Sequence, residues 1–303
     1  MWIVLSSAQL LVTIKAEMRS NSELLEAAPT PRVAKRSVLD GYPLSRVQVI
    51  YPDFCTQRDG YWIIRLMDLA LQFTDVTKHY GKHKVLDDVS FAVRKGCFVA
   101  LVGENGAGKT TLIKSLLDFC DLQSGQIAIF GEDHRKTDAR SRLAFLPERF
   151  MPPYFVTGND FLQHMARMYQ QKLDPQITGE ILTALDLEPV AMKKPVHTLS
   201  KGMAQKLGLA AVLMSDKDLL VLDEPMSGLD PKARALLKRH LLDLKTRGKT
   251  LFFSTHLLAD VEILCDEIII LHHGRPQYTG APSSFCDQYQ SETLEEAYIS
   301  SIS

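Results

Sequence analysis

From Leu71 onward the apolar residues fall into two kinds of short block. Phe73-Thr74-Asp75-Val76 and Val89-Ser90-Phe91-Ala92-Val93 alternate with polar positions, the pattern of strands with one wet face. Residues 98–102, 143–146, 219–222, 250–254 and 268–271 are nearly unbroken apolar runs, the pattern of strands buried on both faces. Gln126-Ile127-Ala128-Ile129-Phe130 reads as a further strand after a turn at Ser124-Gly125, and His79-Tyr80-Gly81-Lys82 reads as a turn carrying an aromatic. Between these blocks the apolar spacing becomes helical. It does so at residues 110–117 and from about 158 to 190, with Asn159 and Asp160 as candidate caps and Asp174-Pro175 as a second start signal. An apolar helix opened by Thr198-Leu199-Ser200-Lys201-Gly202-Met203 runs through Leu213, and another runs from Pro231 to Arg247-Gly248. Continuous apolar strands alternating with helices predict an α/β fold: a parallel sheet flanked by helices, with an antiparallel part contributed by the alternating strands. No internal repeat is present, so the sequence holds one site's worth of chain.

Residues 1–66 carry no sustained period of either kind, and Ala27-Ala28-Pro29-Thr30-Pro31-Arg32 reads as loop. The apolar start is broken by Ser6, Ser7 and Gln9 and has no basic residue before it, which argues against a signal peptide. We expect residues 1–66 to be an unstructured extension or a mis-assigned start, with Met67 opening the working domain, 67–303. The chain's 46% hydrophobic and 23% charged residues are ordinary for a globular protein, and a net charge of -1 gives no argument for nucleic acid or acidic lipid as partner. The five cysteines are widely spaced without a C-x-x-C pair, which suits reduced thiols in a cytosolic protein. No apolar run is long enough to span a bilayer.

The chemistry concentrates at Gly103-Glu104-Asn105-Gly106-Ala107-Gly108-Lys109-Thr110-Thr111, which matches G-x-x-x-x-G-K-[ST] between a buried strand and a helix. Glycines there let main-chain N–H groups converge on phosphate oxygens, and the helix turns its positive end toward the same phosphates. Lys109 is expected at the β- and γ-phosphates, and the Thr110 hydroxyl on Mg²⁺. The second element is Leu219-Leu220-Val221-Leu222-Asp223-Glu224. Asp223 emerges at the strand's carboxyl end, where it can hold Mg²⁺ through water, and Glu224 is the candidate general base.

These stretches, with Leu199-Ser200-Lys201-Gly202-Met203, Asp223-Glu224-Pro225, Ser227-Gly228-Leu229-Asp230 and Ser254-Thr255-His256, resemble an ABC-type ATPase domain over about residues 71 to 300. The resemblance implies a P-loop NTPase sheet, an antiparallel β subdomain and a helical, signature-bearing subdomain. It implies ATP and Mg²⁺ as cofactors. Tyr80 matches the aromatic on which adenine stacks. Ser200 and Gly202 match the signature loop, with Lys201 and Met203 departing from the usual LSGGQ, as in many exporter ATPases. Glu148 stands where the family usually has a glutamine at the metal and attacking water. His256 matches the switch histidine, and Asp230 the carboxylate that crosses a dimer interface. The implied partners are a second ATPase subunit, head to tail and most simply a second copy, and a separate transmembrane permease, which places the chain at the cytoplasmic face of the membrane. The segment Phe150-Met151-Pro152-Pro153-Tyr154-Phe155 is open to two readings, a coupling groove for that permease or local core, and Thr293-Leu294-Glu295-Glu296-Ala297-Tyr298 resembles the exporters' short C-terminal helix. The implied activity is Mg-dependent ATP hydrolysis powering transport, more specifically export; the alternative is a soluble ABC ATPase acting on nucleic acid or ribosomes. Against the alternative stand the single ATPase domain and the absence of a basic patch, so no nucleic acid is expected.

Overall fold

The structure, a computed structural model, describes residues 69–302 and, before them, the backbone of three strands: β1 (Trp2–Ser6), β2 (Cys55–Arg58) and β3 (Tyr61–Arg65). The chain divides into two units, residues 1–68 and 69–303. In the first, β3 lies between β1 and β2 and is antiparallel to both, with Trp2 opposite Arg65 and Arg58 opposite Tyr61. The remaining residues of the segment expected to be unstructured, and the expected start Met67, lie outside the described residues.

The second unit begins with two long antiparallel strands, β4 (Leu69–Tyr80) and β5 (His83–Arg94). With β7 (Ser124–Ile129) and β8 (Glu132–Asp133) they form a four-stranded sheet in the order β5-β4-β7-β8. The turn expected from His79 is confined to Gly81 and Lys82. Tyr80 belongs to β4, because its backbone still pairs with His83. Ser124 and Gly125 are likewise strand rather than turn. Gly125 has a φ of +92°, and an added Cβ would sit 2.4 Å from the Asp75 carbonyl oxygen, so glycine lets β7 close on an irregularity in β4. Phe130, expected in that strand, lies past its end at φ +51°.

The main sheet has the order β13-β12-β6-β11-β10-β9. Its members are β6 (Phe98–Val102), β9 (Leu143–Leu146), β10 (Leu219–Asp223), β11 (Thr250–Thr255), β12 (Glu267–His272) and β13 (Arg275–Gly280). All pairings are parallel except that of β12 with β13. Every residue of β6, β10 and β11 is buried, the reason their sequences carry no alternation. The edge strand β13 escaped the sequence reading because it is polar and half-exposed. Phe73 and Phe91 stack at 4.3 Å and lie 6.3 and 6.0 Å from Phe252 of β11, joining the two sheets through one aromatic cluster.

The helices are α1 (Lys109–Leu116), α2 (Thr137–Arg140), α3 (Gly158–Met168), α4 (Pro175–Ala184), α5 (Lys201–Leu213), α6 (Pro231–Thr246), α7 (Leu258–Leu264), α8 (Pro282–Tyr289) and α9 (Leu294–Ile302). The helical stretch expected from 158 to 190 is two helices, followed by a short 3₁₀ turn at Ala191–Lys193. Asp174 caps α4 with Pro175 at its first position, as expected. The cap of α3 is Thr157, not Asn159 or Asp160; Asp160 returns a bond to Thr157 in a capping box. Helices α3, α4 and α5 pack on one another around Phe161, Leu162, Ile181, Leu182 and Leu207, forming the helical subdomain. Of the aromatic segment, Phe150 packs edge-on against Phe161 at 5.4 Å, whereas Met151, Tyr154 and Phe155 are 85%, 65% and 88% exposed. The core reading therefore holds for Phe150 alone.

Candidate functional site

The site gathers where β6, β9 and β10 end and where β11 gives way to His256. After Val102 the chain turns through the glycine loop, hard against the end of β12. A Cβ on Gly103 would lie 2.4 Å from the Leu271 carbonyl oxygen, a clash only glycine avoids. Gly106 and Gly108 take φ of +88° and +109°, a backbone that side-chain-bearing residues rarely adopt. Gly108 is the N-cap of α1 and gives it no side-chain cap, so the first N–H groups of that helix remain available to an anion. Ala107 is buried beneath the loop.

Lys109 folds back over this loop. Its Nζ donates to the carbonyls of Gly103 at 2.6 Å and Glu104 at 3.2 Å, and lies 3.8 Å from Glu224 Oε1. Burial draws the Lys109 ammonium below its usual range, while Glu224, Asp223 and Glu148 pull the other way. The ammonium is thus held over the glycine-loop carbonyls with Glu224 beside it, on the wall of the cavity that the loop opens onto.

Glu224 sits one residue beyond β10 at φ +49°, a left-handed conformation that turns the carboxylate out of the strand line. Its Oε2 meets His256 Nδ1 at 2.9 Å. One residue holds this geometry from beneath: Ser254, opposite Asp223 in the sheet register and fully buried. Its hydroxyl donates to Asp223 Oδ1 at 2.5 Å and accepts from the Glu224 N–H at 2.9 Å. Ser254 was not singled out as a site residue from sequence; the signal was a hydroxyl closing an apolar strand beside the Asp223 strand.

These groups open onto a cavity of about 460 Å³. Glu104, Asn105, Gly106, Gly108, Lys109, Thr110 and Thr111 line one side, with Glu148, Glu224 and His256 across from them. Tyr80, half-exposed, stands at the rim with Lys78 Nζ 5.1 Å from its ring centre. Burial, and then the neighbouring Cys120, raise its phenol. Val85 and Ser227 also line the cavity and were not expected there. Asp223 is only 2% exposed and lies below the cavity rather than on its wall.

The donor set Thr110, Asp223 and Glu148 consists of a hydroxyl and two carboxylates, hard oxygen ligands that suit Mg²⁺. Among the described residues no three His, Cys, Asp or Glu side chains converge as a metal cage.

Five expected nucleotide residues do not line this cavity: Gly103 and Ala107 belong to the glycine loop itself, and Ser200, Gly202 and Asp230 stand apart from it. Ser200 caps α5, its hydroxyl accepting from the Met203 N–H at 3.2 Å. Gly202 lies where a Cβ would come 3.0 Å from the Gly228 carbonyl oxygen. Asp230 caps α6 through Ala233 N–H at 2.9 Å and pairs with Lys206 at 3.3 Å; these partners hold its carboxyl below the usual range. Ser200, Gly202 and Asp230 thus belong to neighbouring turns on a second face of the chain.

Comparison with known proteins decides the family. The model of the ABC transporter family matches residues 86–227, which span the glycine loop, the signature segment and the Asp223-Glu224 strand end. The chain is 36% identical over 221 residues to the Nod factor export ATP-binding protein I of Burkholderia orbicola, an alignment covering 72% of each. The chain belongs to the ABC transporter ATP-binding family. It is also 39% identical over 205 residues to an ABC transporter ATP-binding protein of Synechocystis, covering 66% of this chain, and it spans only 57% of that relative's length. It spans 65% of the Nod factor export ATP-binding protein I of Sinorhizobium fredii, at 35% identity over 73% of this chain. A solved structure described as the ATP binding subunit of an ABC transporter superposes with a TM-score of 0.71 at 30% identity, covering 77% of this chain and all of the other. A dimeric ATP-binding cassette bound to ADP and Pi shares the fold, with a TM-score of 0.63 at 21% identity over 70% of this chain and 98% of the other. The α/β architecture expected of an ABC ATPase domain is the architecture observed.

Proposed function

We propose that the chain is the ATP-binding and ATP-hydrolysing subunit of an ABC transporter that powers export through a separate membrane subunit. The observation that carries this reading is the convergence of Lys109, Glu224 and His256 within 3.8 and 2.9 Å of one another at the head of a glycine-loop cavity. In this reading the loop N–H groups and the start of α1 bind the phosphates, and Lys109 moves from the loop carbonyls to the β- and γ-phosphates. Glu224, fixed by its main-chain bond to Ser254 and by His256, takes the proton of the attacking water. His256, 55% exposed at its side chain, turns between Glu224 and the γ-phosphate. Tyr80 stacks on adenine. Thr110, Asp223 and Glu148 would hold a Mg²⁺, which when bound would supply charge neutralisation at the phosphate oxygens.

The Ser200, Gly202 and Asp230 face completes the site of a second ATPase subunit, most simply a second copy placed head to tail. The named relatives are transporter and export subunits and give the nucleic-acid or ribosome reading no support. Among the described residues no helix is long and apolar enough to cross a membrane, so the membrane passage is assigned to the partner. The exposed Met151, Tyr154 and Phe155 are assigned to its docking, and the working position to the cytoplasmic membrane face. Residues 67–303 are assigned to the ATPase domain. The deciding experiment is capture of the tagged full chain from detergent-solubilised membranes of its host. Stoichiometric recovery of a polytopic membrane protein supports the reading, and recovery only with soluble ribosomes or DNA overturns it.

A further inference from the structure

β4 ends on a pair of side chains whose burial runs against type. Lys78 is 7% exposed, although lysine is almost never fully buried unless paired, while Tyr80 beside it is 50% exposed. The two are separated by His79, the spacing that sets side chains on one face of a strand. The Lys78 ammonium stands over the Tyr80 ring, 5.1 Å from its centre, within the range of a cation–π contact.

Charge pairing does not explain the lysine. Among the described residues no carboxylate lies within 4.0 Å of its ammonium, which donates to the Asp121 carbonyl. Nor is that bond needed to fasten the strand. The Gln123 N–H donates to the Thr77 carbonyl at 3.0 Å, and the Gln123 side chain accepts from the His79 N–H at 2.6 Å. The segment after α1 is thus stitched to β4 on both sides of Lys78 already. Tyr80, for its part, stands on the wall of the nucleotide cavity with Thr111, and its phenol lies beside Cys120 and Thr111. The Ser115 hydroxyl ties those two together, donating to the Thr111 carbonyl at 2.9 Å and lying 3.4 Å from Cys120 Sγ. The ring is therefore held at its phenol end by the segment around α1, and from one side by a cation that the Asp121 carbonyl fixes in place.

We propose that Lys78 is a positioning residue of the nucleotide site: its ammonium backs the Tyr80 ring, and the ring offers its open face to the purine base. The proposal rests on the assignment of Tyr80 to adenine made above. Two effects act together. The fixed cation orders the ring before the base arrives, so less side-chain freedom is lost on binding. The face of an aromatic ring is also electron-rich, and a cation over it offsets the repulsion between that face and the π cloud of a stacked base. Both act on the base alone, since the phosphates are held elsewhere, by the glycine loop and Lys109.

The test is calorimetric titration of the full chain with ATP and, separately, with inorganic tripolyphosphate, which carries the phosphates without the base, in one magnesium-containing buffer. Lys78→Met keeps the unbranched stem and removes the charge. The expected result is ATP affinity about fivefold weaker in Lys78→Met with tripolyphosphate affinity unchanged. Lys78→Arg restores ATP affinity to within about twofold of the parent, and Lys78→Met has no effect in a Tyr80→Ala chain. Circular dichroism checks the fold, and Lys78→Gln takes the place of Lys78→Met if that chain does not fold. If Tyr80→Ala weakens ATP but not tripolyphosphate while Lys78→Met weakens neither, the proposal is overturned and the Tyr80 assignment stands. A loss shared by ATP and tripolyphosphate in Lys78→Met overturns it too, as does a loss that persists undiminished without the Tyr80 ring. Equal ATP affinity in Tyr80→Ala and the parent instead removes the Tyr80 assignment, and the proposal with it.

Discussion

Replacing Glu224 by Gln changes one atom type at the centre of the site and separates the roles assigned there. Lys109 Nζ and Glu224 Oε1 are 3.8 Å apart, with side chains only 7% and 11% exposed. At an effective dielectric of about 20 their attraction is about 4 kcal/mol, offset by the burial that draws the Lys109 ammonium down. Glutamine keeps the size and can still accept from His256, so the geometry at 2.9 Å survives. What disappears is a proton acceptor and one negative charge beside the phosphates. The first loss lowers turnover by on the order of a hundredfold or more. The second frees Lys109 from its internal counter-ion, so ATP affinity is retained or rises. Phosphate-release kinetics and titration with a fluorescent ATP analogue measure the two separately. Turnover within a few-fold of the parent removes Glu224 as the base. Weakened ATP binding refutes the argument that Lys109 is shared between Glu224 and the phosphate.

Lys109→Ala weakens nucleotide binding and hydrolysis together, and unchanged affinity in the same titration contradicts the assigned role of the glycine loop. Ser254→Ala strands a buried main-chain N–H and a buried carboxylate oxygen, at a cost of about 2–4 kcal/mol read from urea denaturation, and it lowers turnover by releasing Glu224. His240→Gln tests a pH effect. Burial sets the folded pKa of His240 below its unfolded value, so its neutral form stabilises the fold above about pH 6.5, and that contribution is lost as pH falls further. The urea midpoint of the parent should therefore drop more between pH 7 and 5 than that of His240→Gln, and parallel curves would show that His240 is not the group.

The sheet was legible because burial on both faces removes alternation, as in β6, β10 and β11, and because glycines at 103, 106 and 108 have no other use at that density. What escaped was fixed by pairing rather than by composition. β13 is polar because it is an edge, and Thr157 caps α3 although Asn159 and Asp160 are equally suited by type, since only its hydroxyl faces the Asp160 N–H. The motif residues were placed from the sequence, but their grouping was not. Ser200, Gly202 and Asp230 carry nucleotide-site signatures and yet stand apart from the cavity. Ser254 stands in the Ser254-Thr255-His256 stretch beside the expected His256, yet its own part, holding two carboxylate residues together, is set by the register of β11 on β10.

The strand order also sets a timetable for synthesis. β6 is fully apolar and carries the glycine loop, yet its neighbours on both sides, β11 and β12, are encoded at the far end of the chain. From Val102 to Thr250, where β11 begins, the ribosome adds 148 residues (250 − 102), about 7–30 s of translation. The four-stranded antiparallel sheet is complete by Asp133 and can close at once. The central strand of the main sheet must wait, unpaired and greasy, for partners not yet made. The nascent chain is therefore most exposed to aggregation after its first sheet has folded, and its demand for a holding chaperone ends when β11 and β12 slide in on either side of β6.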